Sequence, residues 1–88
     1  MTREFKQLLD DLATVQLTQH HQQMDSAIQD ARHLVEHGEE GVALENICQN
    51  LYEWDFPLSR AHYESLQEIG QHYGLESRTW SYLEKIVV

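Results

Sequence analysis

The sequence predicts an all-α protein, a small bundle of four to five short helices. Three observations carry this. Apolar residues recur at spacings of three and four along most of the chain. There is one proline and no Asn-Gly or Asp-Gly dipeptide, so hairpin signals are missing. Gly38, Pro57 and Gly74 punctuate the pattern at helix-length intervals. At 88 residues, the chain has room for one core, and residues 1–88 are read as a single domain.

The first helix is expected from Thr2, read as its N-cap, to about Val15, with Phe5, Leu8, Leu9 and Leu12 as the apolar stripe. Leu17-Thr18 suggests a break with Thr18 capping a second helix, although His20 to Gln23 carries no strong punctuation and one continuous helix is an open alternative. The second segment carries Met24, Ala27, Ile28, Ala31, Leu34 and Val35 and ends at Gly38, a natural C′ residue. A third helix should begin near Glu39 or Glu40, where carboxylates favour the positive end of the helix dipole. Leu44, Ile47, Cys48 and Leu51 form its inner face, and Glu45, Gln49 and Glu53 its outer one. Pro57 ends it, disfavouring helical geometry at Phe56. Ser59 then caps a fourth helix, with Leu58 and Tyr63 at staple spacing and Tyr63, Leu66, Ile69 and Tyr73 along one stripe. Gly70 inside that helix costs about 1 kcal/mol relative to Ala, which implies a close contact there. Ser77 is expected to cap a last short helix holding Trp80, Leu83, Ile86 and Val87.

Fifteen acids against six bases give a formal charge of −9. Such a field repels nucleic-acid phosphates and anionic membranes, and speeds encounters with cationic proteins. Direct binding to nucleic acid or membrane is therefore not expected. No apolar run approaches the roughly 20 residues of a membrane span, and the amino-terminal stretch lacks the apolar core of a signal peptide. A single cysteine, Cys48, excludes an internal disulfide. A cytoplasmic protein is the expectation.

Two patterns invite a chemical reading. His33, Glu36 and His37 form H-x-x-E-H, the zinc motif of inverzincin peptidases. A catalytic zinc needs a third protein ligand and an open water position, and nothing in the sequence places Cys48, His62 or His72 beside the pair. Cys48 sits on an apolar face, and adjacent carboxylates such as Asp10-Asp11 point apart on a helix. Neither a metal, another cofactor nor an enzymatic activity is expected. The second pattern is acidic. Between Arg32 and Arg60 there is no Lys or Arg, while Glu36, Glu39, Glu40, Glu45, Glu53 and Asp55 are present. Tyr52, Trp54 and Phe56 alternate with Glu53 and Asp55. Aromatics beside acids can anchor and steer a basic partner, and Trp54 and Phe56 can equally close the core under Pro57. The candidate partner-binding residues are Glu36, Glu39, Glu40, Glu45, Gln49, Glu53, Trp54 and Asp55.

The segment GEEGVALENICQNLYEWDFPLS, residues 38 to 59, followed by a Tyr-x-x-Leu helix, GLESRTW and YLEKIVV, resembles the MafI family of immunity proteins. The likeness covers about residues 17 to 88. It rests on Gly38-Glu39, Ala43-Leu44-Glu45, the Glu53–Ser59 turn and Gly74-Leu75 before Trp80. The resemblance implies a small cytoplasmic protein made beside a polymorphic toxin delivered between bacteria, including contact-dependent inhibition systems. It further implies that the chain binds the C-terminal toxin domain of its own system, commonly a ribonuclease, and blocks it. An acidic inhibitor would occupy a basic active-site surface as a phosphate mimic. The rival reading is a small acidic helical adaptor that binds some other basic protein.

Overall fold

The computed structural model describes residues 1–88. It is an all-α bundle of α1 (Thr2–Ala13), α2 (His21–Glu36), α3 (Glu40–Glu53) and α4 (Arg60–His72), closed by 3-10 turns at Ser77–Thr79 and Ser81–Ile86. No helix is long and apolar enough to cross a membrane. The apolar stripes meet in one core. Phe5, Leu9 and Leu12 arrive from α1, Met24 and Ile28 from α2, and Leu66 and Ile69 from α4, all nearly or fully buried. From α3 come Ala43, Leu44, Ile47, Cys48 and Leu51, every one at 0% exposure. No charged or polar side chain is fully buried, so the core holds no ion pair whose desolvation must be offset.

α1 and α2 are separate helices. The Thr14 hydroxyl donates to the Asp11 carbonyl at 2.7 Å, drawing the last turn away from further propagation. The expected caps at the two starts are not used. Thr2 lies inside α1, and its hydroxyl donates to Glu40 Oε2 at 3.1 Å, 38 residues away. Thr18 stays in the connection, and α2 starts after His20, a residue with φ of 61° and no side-chain cap. A tertiary contact holds that start, with the His20 ring against Trp54 at 4.9 Å between centroids. Ser59 does cap α4, accepting the His62 N–H at 3.1 Å, and Leu58 and Tyr63 are both buried at its entry.

The helix exits share one hydrogen-bond pattern. After α2, Glu39 N–H donates to the Leu34 carbonyl and Gly38 N–H to Val35. After α4, Leu75 N–H donates to Gly70 and Gly74 N–H to Gln71. Both are Schellman motifs with glycine at the left-handed position, φ +76° and +72°. α3 ends likewise, with Phe56 N–H on Leu51 and Asp55 N–H on Tyr52, but its left-handed residue is Asp55, at φ 50°. Phe56 follows at 2% exposure, so it closes the core under Pro57.

The last element is not the α-helix that the Ser77 cap implied. Ser77 opens a 3-10 turn without a side-chain cap, and Trp80 sits between the two turns. The indole must reach the bare backbone of Gly70, and a tighter, interrupted path brings it there. A Cβ at residue 70 would overlap the six-membered ring of Trp80 and approach Leu44 Cδ2 at 3.2 Å. The closing segment is also tied at Leu58, whose backbone bridges Val87 in parallel and accepts the Val88 N–H at 2.9 Å.

The Gly70 contact generates a stability prediction. Gly70→Ala gains about 1 kcal/mol of helix propensity, and overpacking a tight core costs roughly 1–3 kcal/mol. A net loss is expected, read as a lower urea midpoint followed by Trp fluorescence. A midpoint raised by the substitution would mean that the indole moves aside at no cost.

Candidate surface on helix α3

Because the inner side of α3 is completely buried, its outer side is fixed in direction. Val42, Glu45, Asn46, Gln49, Tyr52 and Glu53 occupy it at helical spacing, all exposed. Val42 and Tyr52 are each 44% exposed, unusually open for large apolar side chains in this protein. The sequence reading had the acids of this stripe but did not include Val42 or Tyr52 among the site residues. The signal was available, since residues 42, 45, 49 and 52 fall on one helical face.

Three depressions divide the candidate residues. The first, of about 390 Å³, has Glu45 and Gln49 on one wall and Leu75, Glu76, Arg78 and Tyr82 on the other. The Tyr82 ring meets Tyr52 edge-on at 5.3 Å, so the exposed tyrosine stands at its rim. The second, of about 480 Å³, lies between the α1–α2 connection and the exit of α3. Glu53, Trp54 and Asp55 face Gln16, Thr18 and His20 there, and no Lys or Arg lines it. The third, of about 180 Å³, places Glu36 with Lys6, Asp10 and Arg32. Glu36 is thus separated from the α3 residues, in a groove that carries its own cations.

The ion pairs sharpen this division. Arg32 pairs with Asp10 at 2.7 Å, Arg60 with Glu84 at 3.1 Å and Arg78 with Glu76 at 3.4 Å. Glu36, Glu39, Glu45, Glu53 and Asp55 form no ion pair. The exposed acids of α3 and its exit are therefore unpaired, as are Asp25 and Asp30 on α2 and Glu64 and Glu68 on α4.

Glu40 is different. Its Oε2 accepts hydrogen bonds from the Thr2 and Tyr73 hydroxyls, both at 3.1 Å, and its Oε1 is buried without a partner. Desolvation alone would raise its pKa, but the hydrogen bonds from Thr2, Tyr73 and the backbone outweigh it, and the net shift is downward. Burial, opposed by the Thr2 bond and reinforced by Glu40, pushes Tyr73 upward. Glu40 joins α1, α3 and α4 from within, which leaves little of its carboxylate for a partner. Trp54 is half-buried, its indole N–H donating to Asn50 Oδ1 at 3.3 Å and one side against His20.

The groups considered for chemistry are arranged as follows. His37 Nδ1 lies 2.7 Å from the His33 carbonyl oxygen, a bond that turns the ring back onto its own helix. No group of three or more His, Cys, Asp or Glu side chains is placed to hold a metal ion. Cys48 is fully buried, and desolvation pushes its thiol up to about 12, far from the thiolate that nucleophilic chemistry requires. Compared with family models, curated proteins and solved structures, the chain finds no match.

The Glu40 network predicts a pH dependence. Its folded pKa is lowered from 4.5, so its contribution to stability is present above that value and is lost as pH falls through the folded one. Glu40→Gln should lower the urea midpoint at neutral pH and flatten the decline below about pH 4.5. Parallel midpoint-versus-pH curves for the two proteins would show that the carboxylate is not coupled to folding.

Proposed function

We propose that this chain is an immunity protein that binds and neutralises the toxin domain of its own system, a cationic ribonuclease domain, by covering its basic active-site surface. The observation that carries the reading is the unpaired acidic charge of α3 and its exit. Glu39, Glu45, Glu53 and Asp55 are exposed and unpaired, while three of the chain's arginines are paired elsewhere. Asp25, Asp30, Glu64 and Glu68 are also exposed and unpaired, so what sets α3 and its exit apart is that their acids stand beside exposed aromatic area, in a stretch with no Lys or Arg between Arg32 and Arg60. A field of this kind raises association rates with a basic partner by one to three orders of magnitude. The resemblance of residues 38 to 59 to MafI-type proteins supports the same reading, as does the small all-α fold. Inhibition needs no chemistry from the inhibitor, only a surface that fills the cleft and leaves slowly.

The test is growth rescue. The C-terminal domain encoded immediately upstream is expressed with and without this chain, and growth and RNA integrity are followed together. Killing with RNA cleavage, both prevented by co-expression, is the expected result. Killing with intact RNA keeps immunity and removes the ribonuclease. A harmless domain, or no rescue, ends the immunity reading and leaves the acidic adaptor. For the purified pair, the association rate should fall at least tenfold between about 20 mM and 500 mM salt, with dissociation much less affected. A flat association rate would count against steering.

A further inference from the structure

We infer that the docking surface is the outer face of α3 from Val42 to Asp55, and that its occupant is a basic protein surface whose Lys or Arg side chains enter the two depressions beside that helix. The inference rests on the immunity reading for the identity of the partner, and names where and how it binds.

Val42 to Tyr52 is eleven residues, ten steps of rise and about 15 Å of helix. A strip of that length and one helix wide, ~10 Å, presents only ~150 Å², far below the roughly 800 Å² per partner of a stable complex. The partner must therefore reach past this strip, over one flank and beyond the exit of the helix. On that flank it meets Glu45 and Gln49 with the walls formed by Leu75 and Tyr82. At the exit it meets Glu53, Trp54 and Asp55. Charge complementarity selects the occupant. A second copy of this chain brings −9 against −9 and sets acids opposite acids. A nucleic acid brings phosphates to the same carboxylates. A basic protein surface gains from both depressions, and its apolar groups can meet Val42 and Tyr52 on the same helical face.

The second depression is the more selective of the two. The first already contains Arg78, paired with Glu76, whereas the second has no Lys or Arg. Its indole offers a ring to an entering guanidinium, and Glu53 and Asp55 offer carboxylates. Asp55 occupies a left-handed backbone position where glycine is favoured. Substituting glycine there keeps the Schellman exit while removing the charge, so the variant separates binding from folding.

The first experiment needs no toxin. The isotopically labelled chain is titrated with tetra-arginine amide at low salt, and backbone and indole N–H resonances are followed by NMR. The largest shifts are expected at Gln49 to Asp55 and at the Trp54 indole. Asp55→Gly should weaken that response at least threefold while its urea midpoint equals or exceeds that of the parent. Shifts spread equally over Asp25, Asp30, Glu64 and Glu68, or unchanged by Asp55→Gly, would overturn the assignment of the surface. The second uses the domain from the rescue assay. Tyr52→Ala and Glu45→Lys should each weaken binding at least tenfold with helicity unchanged. Parental affinity in both variants would overturn the docking surface even if rescue stands. Failure of the unsubstituted chain to rescue would overturn the immunity reading instead, while the peptide titration independently decides the cationic surface.

Discussion

Complete burial of one face of α3 is the constraint on which the rest depends. Ala43, Leu44, Ile47, Cys48 and Leu51 have no exposed area, and α3 packs against α2, α4 and both closing turns. A helix held this way cannot rotate without opening the core on several sides. At the lower limit of roughly 1.5 kcal/mol for each large apolar side chain, exposing even a part of that face would remove much of the stability of a small domain. The outward direction of Glu45, Gln49, Tyr52 and Glu53 is therefore a consequence of packing. The remaining elements can be understood as what is needed to cover the inner side. α2 and α4 supply flanks, and Trp80, seated on the bare backbone of Gly70, closes the end nearest Leu44.

The exits of the helices show where stability and surface chemistry diverge. Gly38 and Gly74 supply the left-handed residue after α2 and α4 with no side-chain conflict. After α3 the same backbone turn is made by Asp55, for which positive φ is less favourable. The local geometry would be served better by glycine, and the carboxylate contributes no ion pair in return. Aspartate is several-fold enriched at positive φ among non-glycine residues, so the turn still forms while keeping a carboxylate on the wall of the second depression. His20, on the opposite wall of the same depression, is the other non-glycine residue with positive φ, and its ring contacts Trp54.

Most of the bundle was legible because its signals are short-range. The stripes of α3 and α4, the Ser59 cap and the glycine exits all depend on residues within a few positions of one another, whereas Gly70 signalled a close approach by its cost in a helix without naming its partner, Trp80. The readings that failed share a different cause. Thr2 and Ser77 have the chemistry of N-caps, but the Thr2 hydroxyl is engaged by Glu40 across 38 residues and Ser77 lies inside a 3-10 turn. Thr18 was displaced as a helix start by the His20–Trp54 contact. Pattern within a window does not carry such distant competition. The surface divides in the same way. The outward position of Glu45, Gln49 and Glu53 followed from the helical period, whereas the internal engagement of Glu40 depends on Tyr73, 33 residues distant. Separation of Glu36 into a groove with Lys6 and Arg32 required knowing how α1 lies on α2.

Charge by itself would make a poor inhibitor. Attraction between exposed groups is screened over about 8 Å at physiological ionic strength, and it acts chiefly on how often two proteins meet. Residence depends on desolvated contacts, most of which come from a few aromatic or guanidinium anchors near the centre of an interface. In the proposed complex these two requirements fall to different residues of α3 and its exit. Glu45, Glu53 and Asp55 would supply the field, and Tyr52, whose ring meets Tyr82 edge-on, the anchor. A ring already in contact has less freedom to lose on binding, so more of its buried area is available as affinity. In the proposed complex an anchor on a loop would have to be ordered by the partner, whereas Tyr52 would be held in advance by the core beneath α3.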